Sequence, residues 1–178
     1  MNNNIEIVNF FNNDIDIEEF AKLYCITFIG VNYSSKDILC SIENIKKHSS
    51  YKGFKSLKAL SNNRIVGFTY GYTSSSEQFY NQKIAEQLNN NEVEKWLVDC
   101  FEFTEMAIDI NCRQLGIASK LHDHLLKGIN HKTSILTTGH ENYPAIKLYE
   151  KKGWQLIKSD SPVISKDNLQ IIMGKKLI

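Results

Sequence analysis

Nowhere in the chain does an apolar run approach the roughly 18 residues of a membrane-spanning helix. The start, Met1-Asn2-Asn3-Asn4-Ile5-Glu6, lacks the basic-then-apolar order of an export leader. Proline is scarce, with two residues in 178, which argues against collagen-like or proline-rich low-complexity structure. Neither sign of charge dominates: 21 Lys and Arg against 20 Asp and Glu leave a net +1, so no global field draws the molecule to nucleic acid or to a membrane surface. Cysteine is sparse and badly spaced for metal or redox work. Cys25, Cys40, Cys100 and Cys112 lie 15, 60 and 12 residues apart, matching neither a CxxC motif nor the close pairs of a zinc site, and they read as reduced core thiols in a cytoplasmic protein. The GxxxxGK[ST] string of a P-loop and the glycine spacing of a dinucleotide fold are also missing.

What remains is a soluble, globular composition: 42% apolar residues, 23% charged and 11% aromatic. A chain of this length is expected to form one domain, residues 1–178, burying about 70% of its unfolded surface. Ile5 to Phe10 reads as a strand, and Asn12-Asn13-Asp14 as capping residues for a helix with Ile17, Phe20, Ala21, Leu23 and Tyr24 on its apolar face. Ser34-Ser35-Lys36-Asp37 opens a second helix through Ile38, Leu39, Ile42 and Ile45. Phe54–Leu60 and Arg64–Tyr72 read as a hairpin turned at Ser61-Asn62-Asn63. Residues 74–97, from Ser74-Ser75-Ser76 past Asn89-Asn90-Asn91, suggest a helix in an insertion or lid. A strand from Cys100 to Ile110, a helix from about Leu115 to Gly128, a strand at Ser134–Thr138 and a helix from Pro144 to Lys152, ended by Gly153, come next. Strands at Trp154–Lys158 and Leu169–Lys175, with Pro162 between them, complete the chain. A hairpin followed by βαβ order predicts an α/β fold with a mixed sheet.

The chemistry concentrates where strand Phe101-Glu102-Phe103-Thr104-Glu105-Met106-Ala107-Ile108-Asp109 runs into Arg113-Gln114-Leu115-Gly116-Ile117-Ala118-Ser119 and then into a helix. Amide N–H groups at a helix start are unpaired and lie at the positive end of its dipole, so they suit a phosphate, and the small residues Gly116 and Ala118 let it approach. This run resembles the acetyl-CoA signature, R/Q-x-x-G-x-G/A, of the GCN5-related N-acetyltransferases (GNAT). Asn142-Tyr143-Pro144-Ala145-Ile146-Lys147-Leu148-Tyr149-Glu150-Lys151-Lys152-Gly153-Trp154 is similar to that family's second signature, N-x-x-A-x-x-x-Y-x-x-x-G-F. Together they cover roughly residues 100 to 157. Gln114 stands where glycine is frequent in the family, Leu115 where a basic residue is, Cys112 where an aromatic is, and Trp154 where phenylalanine is.

The resemblance implies a single α/β domain with a mixed, mostly antiparallel sheet flanked by helices, acetyl-CoA as acyl donor and direct attack by an amine in a ternary complex. Backbone near Met106 and Ile108 would meet the thioester and pantetheine, Arg113, Gln114, Leu115, Gly116, Ile117, Ala118 and Ser119 would hold the pyrophosphate, and Asn142 would stand beside the cofactor arm. Tyr149 matches the family's tyrosine that protonates the departing thiolate, and a phenol with an ordinary pKa of roughly 10 carries its proton at neutral pH. For the base, Glu102 falls where histone-modifying members carry their glutamate and Glu105 is the second choice, with water in place of a fixed base in many members. Strand alternation puts Glu102 and Glu105 on opposite faces. Residues 77–109 hold eight acids and two lysines, and residues 146–178 seven lysines and three acids; the first cluster suits a cationic amine and the second a polyanionic nucleotide. Tyr70, Tyr72, Phe79, Tyr80 and Trp96 are candidates for an acceptor pocket or for core packing. His122, His124 and His131 lack metal-ligand spacing, so no metal is expected. The acceptor is expected to be a primary amine of a small molecule or peptide, with a homodimer left open; a non-catalytic acyl-CoA-binding or sensing domain is the alternative.

Overall fold

The computed structural model of the chain describes residues 5–11 and 16–178. Seven strands, β1 (Ile5–Asn9), β2 (Lys55–Ser61), β3 (Arg64–Thr73), β4 (Cys100–Ile108), β5 (Thr133–Gly139), β6 (Gln155–Ser165) and β7 (Asn168–Lys176), form one sheet in the order β1-β2-β3-β4-β5-β7-β6. Among the described residues six α-helices accompany them: α1 (Ile17–Phe28), α2 (Ser35–Ser49), α3 (Phe79–Ala85), α4 (Asn90–Leu97), α5 (Ile117–Leu126) and α6 (Tyr143–Lys151). β4 and β5 pair in parallel, whereas β1–β2, β2–β3, β5–β7 and β7–β6 are antiparallel, which gives the expected mixed α/β sheet. The residues group into two compact units, one of residues 1–72 and 105–127, the other of residues 73–104 and 128–178.

In the first unit, Phe20 and Leu23 of α1 and Ile45 of α2 close over Phe10, Ile65, Phe68, Tyr70 and Ala107. The β2–β3 turn has Asn62 at φ 51° and Asn63 at φ 62°, two consecutive left-handed residues of the kind a type I′ hairpin requires. α2 begins with a capping box, the Ser34 hydroxyl accepting from the Asp37 amide at 3.3 Å and the Asp37 carboxylate accepting from the Ser34 amide at 2.7 Å. The caps expected at Asn12-Asn13-Asp14 lie outside the described residues. α5 buries Ile117, Leu121 and Leu125, and its last carbonyls are closed by Lys55, whose Nζ donates to His124, Leu125 and Lys127, each at 2.8 Å.

Tyr70 and Tyr72 belong to this core rather than to an open aromatic pocket, and with Tyr51 they surround His48 at ring separations of 5.4 to 5.7 Å. Burial pushes the His48 imidazole down to about 4. Unfolded, the same ring titrates near 6.5, so below that pH only the unfolded chain takes up its proton, and stability drains away between pH 6.5 and about 4. Because the ring is partly exposed, that loss is about 1–2 kcal/mol. Urea melts at pH 7 and pH 4.5 are expected to show His48→Gln losing less stability on acidification than the parent.

In the second unit, Ile84 of α3 and Trp96 and Leu97 of α4 pack with Cys100, Ile135, Val163 and Ile172. The single helix expected within 74–97 is instead two, divided by an Asn89–Glu92 capping box that starts α4 afresh. Trp96 is a core residue here, while Phe79 is exposed and lies beneath the Lys83 ammonium. The final hairpin also differs from expectation: β6 is 11 residues long and carries Pro162 inside it. It tolerates a missing N–H because it ends the sheet, and register shifts and the left-handed Asp160 (φ 49°) interrupt its ladder with β7.

Of the four cysteines, all free thiols, only Cys25 and Cys100 are core residues; Cys40 is exposed and Cys112 half-buried, because α2 turns Ser41 and Ile45 inward rather than Cys40. A Cβ on Gly174 of β7 would stand 2.6 Å from two carbons of the Trp96 ring and 2.7 Å from Ile157 Cδ1. The buried indole has no room to retreat, so Gly174→Ala should destabilise by about 2–3 kcal/mol, read as a lower urea midpoint at unchanged slope.

Candidate active site

Within the first unit lie the end of β4 and the turn that follows. Met106 and Ile108 are half-buried, and the Asp109 amide donates to Val66 O at 2.9 Å, ending the strand. Asp109 then organises the bend. One carboxylate oxygen accepts from the Asn111 amide at 2.9 Å, and the other from Arg64 Nη2 at 3.1 Å. Arg64 thereby offsets a negative charge that would otherwise oppose an anion here.

Beyond a 3-10 turn at Ile110–Cys112, the chain from Arg113 to Gly116 is exposed. Gln114, at the frequent-glycine position, adopts φ 63°, and Gly116 adopts φ 76° as the residue before α5. Those two left-handed residues fold the bend back, and Ile117, 1% exposed, anchors it to the core. The first amide bonded to the preceding turn is that of Lys120, donating to Gly116 O at 3.1 Å. The N–H groups of Ile117, Ala118 and Ser119 therefore precede the helical ladder, with no side chain capping the start of α5. A Cβ built on Gly116 meets nothing within 4 Å, so the space beside these amides is open. The diphosphate of coenzyme A fits such a cradle; Leu115, 54% exposed, brings no charge to it.

Within the second unit lie the start of β4, β5 and α6. The β4–β5 ladder covers only Cys100–Glu102 against Thr133–Ile135, while β5 continues its pairing with β7 to Gly139. Asn142 precedes α6, is exposed, and donates through Nδ2 to Thr138 Oγ1 at 3.2 Å. Tyr149, 7% exposed, packs edge-on against Phe103 at 5.9 Å and Trp154 at 5.8 Å. Trp154 thus fills the phenylalanine position of the second signature as part of an aromatic trio.

The two glutamates have different surroundings. Glu102 in the second unit is 1% exposed, and one of its carboxylate oxygens accepts from Ser74 Oγ at 3.2 Å. Glu105 in the first unit is half-buried; Tyr24 Oη donates to its carboxylate at 3.5 Å, and Thr69 Oγ1 donates to its backbone carbonyl at 2.9 Å. Burial, with the Glu102 charge adding to it, drives the Cys100 thiol far above its ordinary range, so Cys100 stays protonated.

Two features had no counterpart in the sequence reading. Ser74, the first residue of the segment read there as an insertion or lid, is buried against Glu102, with Asn81 behind it. His131, bonded to Asp99 at 2.7 Å and to Thr73 Oγ1 at 3.1 Å, ties the end of β3 to the residues just before β4 and β5. His122 pairs with Asp123 and His124 with a backbone carbonyl, and among the described residues no three His, Cys, Asp or Glu side chains gather as a metal site. Nor is any helix among them long and apolar enough to cross a membrane.

Residues 17–154 match the sequence profile of the Acetyltransferase (GNAT) family. Solved structures of the same fold include a protein of Pyrococcus horikoshii OT3, with TM-score 0.70, 22% identity, and 97% of this chain and 98% of that chain covered. An aminoglycoside 6'-N-acetyltransferase complexed with coenzyme A aligns with TM-score 0.69 at 16% identity over 97% of each chain. The ribosomal-protein-S18-alanine N-acetyltransferase from Escherichia coli aligns with TM-score 0.68 at 14% identity over 98% of this chain and 94% of that one. A search of curated protein sequences gives no match.

Proposed function

The chain belongs to the GNAT acetyltransferase family, whose acyl donor is acetyl-CoA, and from that premise we propose that it acetylates a primary amine of a small molecule or peptide by direct attack in a ternary complex. The observation that carries this reading is the exposed, left-handed bend at Gln114–Gly116, which leaves the amides of Ile117, Ala118 and Ser119 outside the helical ladder. When bound there, acetyl-CoA supplies an acyl group activated as a thioester. Those three amides hold the diphosphate, with Arg113 as a flanking cation, and backbone at Met106 and Ile108 holds the pantetheine arm. A backbone N–H aimed at a carbonyl oxygen contributes about 2.7–4 kcal/mol once negative charge develops on it.

Glu102 is the base that takes the proton of the attacking amine, and Tyr149 Oη is the acid that delivers a proton to the departing sulfur. The buried Glu102 carboxylate, held by a hydrogen bond from Ser74 Oγ, supports that residue over the half-buried Glu105. A phenol edge-packed on two aromatic rings is fixed in direction, as a proton donor needs to be. The four free thiols and the absence of a spanning helix among the described residues support a cytoplasmic setting.

Thiol release from acetyl-CoA, measured against a polyamine, an aminoglycoside and an alanine-terminated peptide, tests the reading. Release dependent on at least one amine is expected, together with a raised melting temperature in acetyl-CoA. Thermal stabilisation without release against any amine would favour the non-catalytic sensing domain instead.

A further inference from the structure

Three buried polar side chains of the second unit form a directed chain. Asn81 of α3, 4% exposed, donates from Nδ2 to Ser74 Oγ at 2.9 Å; Ser74, 8% exposed, donates to Glu102 Oε2 at 3.2 Å. The direction is set by chemistry. An amide nitrogen only donates, so the serine oxygen is the acceptor in the first bond, and its single proton is left to point at the carboxylate. The backbone fixes the same serine, whose amide donates to Cys100 O at 2.9 Å, two residues before Glu102 on β4. α3 is in turn held in the core by Ile84, 0% exposed.

We propose that Ser74, oriented by Asn81, is a positioning residue that holds the Glu102 carboxylate ionised and fixed in direction for its work as base. This rests on the assignment of Glu102 made above. An O–H directed at a carboxylate favours the charged form and fixes the oxygen that accepts it. Among the groups around it, Cys100 on the same strand is a neutral thiol. On α3, Lys83 is paired with Glu86 and the Tyr80 hydroxyl is bonded to Thr137 and Gln170. β5, Thr133–Gly139, has no ionisable side chain. The segment that reads in sequence as a lid thus delivers both Ser74 and Asn81 to a carboxylate-orienting chain.

The test is a carbon-13 titration of the Glu102 carboxyl, its resonance assigned by disappearance in Glu102→Gln, alongside the pH profile of amine-dependent thiol release from acetyl-CoA with the three-amine panel. In Ser74→Ala both the carboxyl titration and the acid limb of the profile should move upward by about one pH unit, a tenfold change in proton affinity. Ser74→Thr, which keeps the hydroxyl, should hold both near the parent values. Asn81→Ala should shift them in the same direction by less. An unmoved Glu102 titration in Ser74→Ala overturns the positioning role even where Glu102→Gln is inactive. Full thiol release by Glu102→Gln removes the base assignment itself, and with it the proposal, whatever Ser74→Ala does.

Discussion

Replacing Gly116 with valine is expected to raise the dissociation constant for acetyl-CoA by about a hundredfold, equivalent to about 2.7 kcal/mol. Gly116 sits at φ 76°, where an L-residue is disfavoured by about 1–2 kcal/mol and a β-branched one by more. Its own chain neighbours aside, no protein atom lies within 4 Å of the position of its Cβ, so the ligand-free protein accommodates the side chain. Strain therefore acts through the backbone. The peptide rotates out of the left-handed region and swings the amides of Ile117, Ala118 and Ser119 off the line on which they meet a diphosphate. Calorimetric titration with acetyl-CoA measures the loss, and the melting temperature of the ligand-free variant should fall by only a few degrees. Gly116→Asn supplies the control, because asparagine enters the same conformation at little cost and should stay within a few fold of the parent. Valine with parental affinity would show that the bend is not the cradle.

Tyr149→Phe is expected to lower turnover by about a hundredfold, the lower end of what general acid catalysis supplies. The ring that packs on Phe103 and Trp154 is retained and only the hydroxyl is lost, so the affinity for acetyl-CoA should remain within a few fold. Steady-state thiol release with the amine that responds in the panel separates the two quantities. A fall in kcat at constant KM for acetyl-CoA is the signature of a group acting on the departing sulfur, whereas unchanged kcat would remove the acid role and leave Tyr149 a packing residue.

Much of this architecture is written locally. Asn62-Asn63 between two β-rich runs specifies a hairpin because both residues enter the left-handed region readily, and Ser34 with Asp37 specifies a helix start because each side chain satisfies the other's amide. The bend before α5 is legible through Gly116 for the same reason, but the left-handed Gln114 is not, since nothing in its side chain announces that conformation. What the sequence leaves open is non-local. Trp96 stands there as a candidate for pocket or core, and only its packing with Ile135 and Ile172 makes it a core residue. Pro162 argues for a connection until the strand holding it proves to be the last of the sheet. The Ser74–Glu102 bond joins residues 28 positions apart, a distance no spacing rule bridges.

The irregularity of β6 has a colloidal consequence. A regular terminal strand of 11 residues would offer a long row of free N–H and C=O groups on which other chains could stack without limit. Here Pro162 deletes a donor from that row and the kink at Asp160 spoils its straightness, so Leu156 and Ile164 can stay exposed without turning the border into a seed for fibrils. The same interruption that hides the strand from a reader of the sequence keeps the folded molecules apart in a crowded solution.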